Sequence, residues 1–252
     1  MEIATGRSNV ALVTGASRGL GASIARALAG AGWAVAVNYA HDEPAARRVV
    51  EAIAGAGGRA IAAHFDVTEP VAVKSGIERI AALLGPVELI VNNATGPQPV
   101  MPIAEQSWDV HLAQLHFFVK APLLLLQAVL TDWRARKVGR VVNVGSEVVE
   151  LGSAEFGHYV AAKAAMVGLT RSWANELGNE GITVNLVAPG WIPVERHVGV
   201  DPADLEGYRR LVALGRIGSP QDIAAAVVFL SSKGADFITG QIITINGGRT
   251  LR

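Results

Sequence analysis

Tyr159 and Lys163 stand four residues apart in the run His158-Tyr159-Val160-Ala161-Ala162-Lys163. A phenol is a poor acid at neutral pH, with a reference pKa of about 10. A neighbouring cation favours the phenolate and lowers that value. Residues four apart share a helix face, and the flanking alanines favour a helix. The pair therefore encodes a hydroxyl able to exchange a proton near neutral pH. An isolated match of this kind is more often a solvated surface pair, so its weight depends on what surrounds it.

Two other segments supply that context. Val10 to Val13 reads as a short buried strand, glycines follow at 15, 19 and 21, and an alanine-rich amphipathic run extends from Ala22 to Ala29. Strand, glycine turn and helix form the setting in which a backbone approaches a pyrophosphate and a helix N-terminus receives the anion. The spacing is Gly-x-x-x-Gly-x-Gly, not the common Gly-x-Gly-x-x-Gly, and a plain glycine turn is the alternative. The second segment, Gly139-Arg140-Val141-Val142-Asn143-Val144-Gly145-Ser146, reads as a buried strand ending at Ser146. Ligands of parallel sheets sit beyond the carboxyl ends of strands, which puts the Ser146 hydroxyl where substrate would be. Taken alone, a serine at a strand end more often caps a turn or helix.

The elements that would position these groups alternate along the chain. Strand-like runs at Ala34–Asn38, Ala60–Phe65, Glu88–Val91, Arg140–Val144, Thr183–Val187 and Gln241–Ile245 follow the first. Helix-like segments at Glu43–Ala54, Pro70–Leu84, Ser107–Arg136, Tyr159–Leu177 and Pro220–Ser231 lie between them. This order predicts an α/β fold with a parallel sheet of about seven strands and helices on both faces. No linker or repeat divides residues 1–252, so a single domain is expected. The irregular stretch 191–215 is expected to form a loop-helix insertion over the site, where substrate is chosen.

Bulk properties exclude several classes. Lys+Arg and Asp+Glu are both 22, so no global field favours nucleic acid or an anionic membrane. The absence of cysteine rules out a disulfide, a thiolate nucleophile and a cysteine metal site. No His/Asp/Glu spacing argues for a catalytic metal. Met1 to Ser8 has no signal pattern, and the apolar stretch Ala121–Leu130 is too short for the ~20 residues of a membrane span. A cytoplasmic protein is the expectation.

Together, Thr14-Gly15-x-x-x-Gly19-x-Gly21, Asn92-Asn93-Ala94, Ser146, Tyr159-x-x-x-Lys163 and Pro189-Gly190 resemble the short-chain dehydrogenase/reductase family over Val10 to Gly248. The runs Gly215–Ile223, Thr239-Gly240-Gln241 and Asn246-Gly247-Gly248 are similar to its 3-oxoacyl-carrier-protein reductase branch. The resemblance implies a doubly wound sheet of the Rossmann type and hydride transfer between a nicotinamide cofactor and a carbonyl or secondary alcohol. Tyr159 would move the proton, Ser146 would polarise the oxygen, and Lys163 would hold ribose hydroxyls and tune Tyr159. It assigns cofactor contacts to Gly15, Ser17, Arg18, Gly19, Leu20, Gly21, Asn38, Asp66, Val67, Asn93, Ala94, Tyr159, Lys163, Pro189, Gly190 and Ile192. The second strand ends in Asn38-Tyr39-Ala40-His41 without an acid to hold a ribose 2′-hydroxyl, and Arg18 could pair with a 2′-phosphate, so NADP(H) is favoured over NAD(H). A homotetramer is also implied, with Phe237–Ile245 and the long helices as interface parts.

Four positions depart from the family pattern. Phe118 stands where an asparagine usually serves a proton relay to the lysine, with His116 as a conceivable substitute. Thr95 replaces a glycine, and Val194 replaces a cofactor-contacting threonine. Glu180 occupies a place that carrier-protein reductases commonly make basic, whereas Lys137 matches another such place. Glu147, Glu155, Trp191, Arg196 and His197 are candidate substrate contacts, each also readable as a surface residue. The expected substrate is a carbonyl or secondary alcohol, with a 3-oxoacyl thioester as the particular case the branch suggests. A sugar- or polyol-type dehydrogenase and a catalytically weak dinucleotide sensor are the alternatives.

Overall fold

The computed structural model describes residues 9–195 and 198–251. Its centre is a seven-stranded sheet of β1 (Val10–Val13), β2 (Ala34–Tyr39), β3 (Arg59–His64), β4 (Val87–Asn92), β5 (Gly139–Val144), β6 (Ile182–Pro189) and β7 (Ile242–Ile245). The spatial order is β3-β2-β1-β4-β5-β6-β7, and every pairing is parallel. β1 and β2 are buried along their whole length, as unbroken apolar strands covered on both faces must be.

Alternating side chains feed two cores. Val13, Val37, Val91 and Val187 point to α1 (Gly19–Gly30), α2 (Glu43–Gly55) and α9 (Pro220–Ser231) through Ile24, Leu28, Val49, Ile53 and Val227. Leu12, Ala36, Ile90 and Val184 point to α3 (Pro70–Leu84), α5 (Ala121–Arg136) and α7 (Gly157–Leu177) through Ile77, Leu125, Trp133 and Trp173. Short helices α4 (Trp108–Leu115), α6 (Val148–Leu151) and α8 (Pro202–Arg210) lie nearer the carboxyl edge of the sheet. The stretch 191–215 contains α8, capped by Asp201, whose carboxylate accepts from the Ala203 amide at 2.8 Å.

Several boundaries differ from expectation for local reasons. β6 continues to Pro189 because Pro189 pairs with Ile245 on the last strand of the sheet. α7 begins at Gly157, two residues before Tyr159. The predicted helix 107–136 is α4 and α5 joined by one π-helical turn, His116–Lys120. Pro122 has no N–H to offer the carbonyl of Phe118 four residues back, and the amide of Ala121 bonds the carbonyl of His116, five residues back. The continuous run Trp108–Arg136, 29 residues, is long and apolar enough to cross a membrane by length and composition, well beyond the apolar stretch Ala121–Leu130. Phe118, Leu125, Val129 and Trp133 on it are buried against the rest of the chain, the pattern of a core helix.

Candidate active site

The glycine turn follows β1 and is built with almost no free volume. Gly15 and Gly19 adopt φ of +59° and +57°, where L side chains are strained. A β-carbon on Gly21 would lie 2.5 Å from the Gly15 carbonyl and 2.5 Å from the Asn93 amide nitrogen. The turn is buttressed from beneath. The Thr14 hydroxyl donates to the Val91 carbonyl and accepts from the amides of Asn93 and Ala94 at 2.9 Å. The Asn93 side chain donates to the carbonyls of Thr14 and Gly15. Asn38 donates to the Ala63 and Phe65 carbonyls and accepts from the Gly15 amide at 3.2 Å.

Asn38 and Asn93, expected as cofactor contacts, also hold the turn in shape through these side-chain bonds. Asp66 is partly committed as well, with one oxygen accepting from the Thr68 amide and hydroxyl, both at 2.8 Å. Val67 is buried beside it. Arg18 stands at the N-cap of α1 and is exposed, and it supplies no side-chain cap. The first-turn amides of α1, near Gly19, Leu20 and Gly21, are thus left for an anion. A dinucleotide pyrophosphate fits this cradle, which a single β-carbon would fill.

A cavity of about 870 Å³ begins at Ser17, Arg18 and Gly19 and runs over α1 past Arg26 and Arg48 toward α9. It is the outer shoulder of the crevice, and Ser146 and Tyr159 do not line it. Loop residues Val194 and Glu195 close over its inner end, with a Glu195 carboxylate oxygen 3.3 Å from where a Gly19 β-carbon would be. Asp42 also lines it, but its carboxylate caps α2 by accepting from the Ala45 amide at 2.9 Å.

The second half of the site lies at the carboxyl ends of β5 and β6. Ser146 follows β5, and its hydroxyl accepts from the Val148 amide at 3.3 Å at the start of α6. Tyr159 and Lys163 are both buried on α7. Lys163 Nζ donates to the Val144 carbonyl at 2.6 Å, which ties α7 to the strand just before Ser146. The same ammonium lies 3.7 Å from the centre of the Phe118 ring and 5.6 Å from that of Tyr159. Tyr159 is flanked by Phe118 edge-on at 5.4 Å and by Phe156 at 4.9 Å. Phe118, not His116, therefore occupies the space against the lysine.

Three groups here had no strong signature in the sequence. Glu147, read as a possible surface residue, is buried. Its carboxylate accepts from the Tyr208 hydroxyl at 2.6 Å and from the Asn246 side chain at 2.8 Å. Tyr208, on α8, also accepts from the Trp191 amide at 2.9 Å and meets the Trp191 ring edge-on. Burial, then the hydrogen bond to Glu147, push the Tyr208 hydroxyl above its ordinary pKa. Gly190, after Pro189, makes room for this link, since a β-carbon there would lie 2.5 Å from the Tyr208 oxygen. Ile192 is buried beyond it, with its tip packed on Gly218. The third group is His158, buried against Phe156 and His111, where burial and then His111 hold its pKa below the ordinary value.

Thr95, which replaces the family's glycine, takes no positive φ, and its hydroxyl accepts from Gln98 at 2.6 Å. Glu155 does adopt φ of +60° and stays exposed. Glu180 accepts from Arg134 at 2.7 Å, so its charge is locally paired near Lys137. Arg196 and His197 lie outside the described residues. Among the described residues, no group of three His, Asp or Glu side chains could hold a metal ion.

Known proteins resemble this chain over nearly its whole length. The family model described as Enoyl-(Acyl carrier protein) reductase matches residues 15–250. The 3-oxoacyl-acyl-carrier-protein reductase FabG of Staphylococcus aureus is 39% identical over 240 residues, covering 94% of this chain and 96% of that protein. A putative gluconate dehydrogenase from Agrobacterium tumefaciens superposes with a TM-score of 0.90 at 30% identity, covering 97% of each chain. A blue fluorescent protein from a metagenomic library, solved in complex with NADPH, superposes with a TM-score of 0.87 at 34% identity, covering 96% of this chain and 98% of that one. The chain belongs to the short-chain dehydrogenase/reductase family. It is an oxidoreductase.

Proposed function

We propose that this enzyme is an NADP(H)-dependent carbonyl reductase, working on a 3-oxoacyl thioester or a related ketone, with Ser146, Tyr159 and Lys163 as its catalytic residues. The observation that carries the reading is the Lys163 ammonium, hydrogen-bonded to the Val144 carbonyl and lying beside Tyr159 one helical turn before it. The nicotinamide, when bound, gives or accepts the hydride. In reduction, the Tyr159 hydroxyl gives its proton to the carbonyl oxygen as the hydride reaches the carbon. In oxidation, the phenolate takes the alcohol proton. Ser146 donates a hydrogen bond to the same oxygen and favours the charge that develops there. Lys163 favours the phenolate and offers its remaining protons to ribose hydroxyls.

The glycine turn, Arg18, Ala94, Val67 and Ile192 would form the walls for the dinucleotide. The lack of an acid at the end of β2, the capping role of Asp42, and Arg18 and Arg48 along the groove support a 2′-phosphate. A neighbour solved in complex with NADPH supports the same choice. The pairing of Glu180 with Arg134 lessens the repulsion an acidic carrier protein would meet. Structural likeness to a putative gluconate dehydrogenase favours a polyol or sugar acid as the second reading.

A single assay separates these. NADPH oxidation with 3-oxoacyl thioesters should exceed NADP reduction with polyols in kcat/KM, and NADPH should exceed NADH. Tyr159→Phe should lower kcat by about 10²–10⁴-fold while cofactor binding persists. A Tyr159→Phe variant that turns over normally would remove the proposed acid. We further propose a cytoplasmic homo-oligomer, because β7 is an apolar sheet edge and Phe237 beside it is fully exposed. Light scattering on the purified chain tests the assembly.

A further inference from the structure

We infer that Phe118 is a positioning residue whose aromatic face holds the Lys163 ammonium and so fixes the positive charge beside Tyr159. This rests on the reading of Tyr159 as acid and base.

The ring of Phe118 is one of the largest fully buried side chains in the protein. It has Lys163 Nζ over its face at 3.7 Å, well inside the ~6 Å range of a cation–π contact. Its edge-on relation to Tyr159 at 5.4 Å puts one ring against both members of the proposed catalytic pair. A buried ammonium needs compensation on every side. The Val144 carbonyl provides it in one direction, and the negative face of the ring provides it in another. An aliphatic side chain of equal volume would fill the space but would not attract the charge.

The backbone explains how the ring reaches this position. The π-helical turn His116–Lys120 interrupts the α4–α5 run where Pro122 withholds an amide from Phe118. One such turn adds a residue to the helical repeat and rotates the side chains that follow, and such turns occur frequently at functional sites. Phe118 joins Tyr159, Ala162, Met166, Leu186 and Ala188 in a small core separate from the two main ones. That core is the floor on which the lysine rests.

If the ring holds the cation, weakening its face lets the ammonium move from the phenol, and the phenol becomes a weaker acid. Alcohol oxidation needs the phenolate, so the rising limb of its kcat/KM profile moves to higher pH. Titratable groups on elements packed against α7 include Asp109 and His111 on α4, His116 and Lys120 in the π-helical turn, Glu147 and Glu150 at α6, and Glu180; His158 lies on α7 itself. All of them remain in every variant, so only the difference from wild type is read.

The experiment replaces Phe118 with phenylalanines carrying one to five ring fluorines, which weaken the face with little change of shape. Phe118→Leu is the fully non-aromatic case. The expected result is a progressive upward shift of the alkaline-rising pKa, reaching about one pH unit for Phe118→Leu. NADPH binding, measured by fluorescence, should weaken in the same order, because the proposed role of Lys163 also includes holding the ribose. A profile that stays fixed across the fluorinated series overturns the inference, even if Phe118→Leu lowers the melting temperature. If Tyr159→Phe is inactive and the series is flat, the acid assignment stands and the role of Phe118 falls. If Tyr159→Phe is fully active, the acid assignment itself is wrong and the role of Phe118 falls with it.

Discussion

The two halves of the site are constructed on different principles. The cofactor half is assembled by removing matter: Gly15, Gly19 and Gly21 leave space, and Thr14, Asn38 and Asn93 spend their polar atoms holding that space open. The substrate half is assembled by long-range polar and aromatic contacts. Glu147 reaches Tyr208, 61 residues away, and Asn246, 99 residues away. The first kind of site fails when something is added. The second fails when a single partner is taken away.

Gly21→Ala tests the first principle and should have the largest effect. Its β-carbon meets the Gly15 carbonyl and the Asn93 amide, both fixed by other bonds. Overpacking of this kind costs about 1–3 kcal/mol. Chemical denaturation should show that loss, and NADPH titration should show binding weakened at least about tenfold, since each 1.4 kcal/mol is a factor of ten. An unchanged titration would mean that the turn relaxes and that its tightness is incidental.

Tyr208→Phe tests the second principle. It deletes one hydroxyl and leaves the Glu147 carboxylate and the Trp191 amide each short of a partner. The expected cost is about 2 kcal/mol of stability. Because α8 lies in the insertion and Glu147 adjoins Ser146, kcat/KM should fall more than cofactor affinity. Equal losses in both would place the contact in general stability alone.

Glu195→Gln probes the border between the halves. The carboxylate lies over the glycine turn, where the pyrophosphate would come. Removing its charge should tighten NADPH binding by a few fold, and the gain should shrink as salt is added. A salt-independent change would point to sterics instead.

The last test is Asp222, in the first turn of α9. Its hydrogen bond from Arg216, and then that from the Ser219 amide, hold its carboxyl well below the ordinary aspartate value of 3.8. A lowered pKa stabilises the fold above that ordinary value, and the stabilisation is lost as the pH falls toward and through the folded value. Asp222→Asn should therefore cost about 1 kcal/mol at neutral pH, through the lost capping box and a partly exposed ion pair, and the gap should close below pH 3.8. Urea melts at pH 7 and in acid give the comparison.

What could be read from the residues follows the same division. Val10–Val13, the glycine spacing and the alternating strands are local patterns, and each carries its reason within about a dozen residues. The parallel sheet of about seven strands followed from them. Asn38 and Asn93 were legible as positions but not as roles, because their bonds cross from β2 to β3 and from β4 to β1. Glu147 read as a candidate substrate contact or a surface acid, because nothing near it announces Tyr208 or Asn246. The break in the predicted helix 107–136 was hidden because Pro122 sits in an otherwise unbroken apolar run. Phe118 was noticed only as a missing amide. The attraction between its ring and a lysine 45 positions later becomes visible only when α7 and the π-helical turn pack together.

The bare α-carbon at Gly190 has a practical outcome for redesign. It serves as a doorway through which α8 reaches Glu147, just past β5, with one oxygen atom. An engineer grafting a foreign lid to change which ketone is accepted must transplant a hydroxyl at position 208, or replace Glu147 as well. A graft that ignores the doorway would strand a buried anion and lose activity before any new selectivity could be measured.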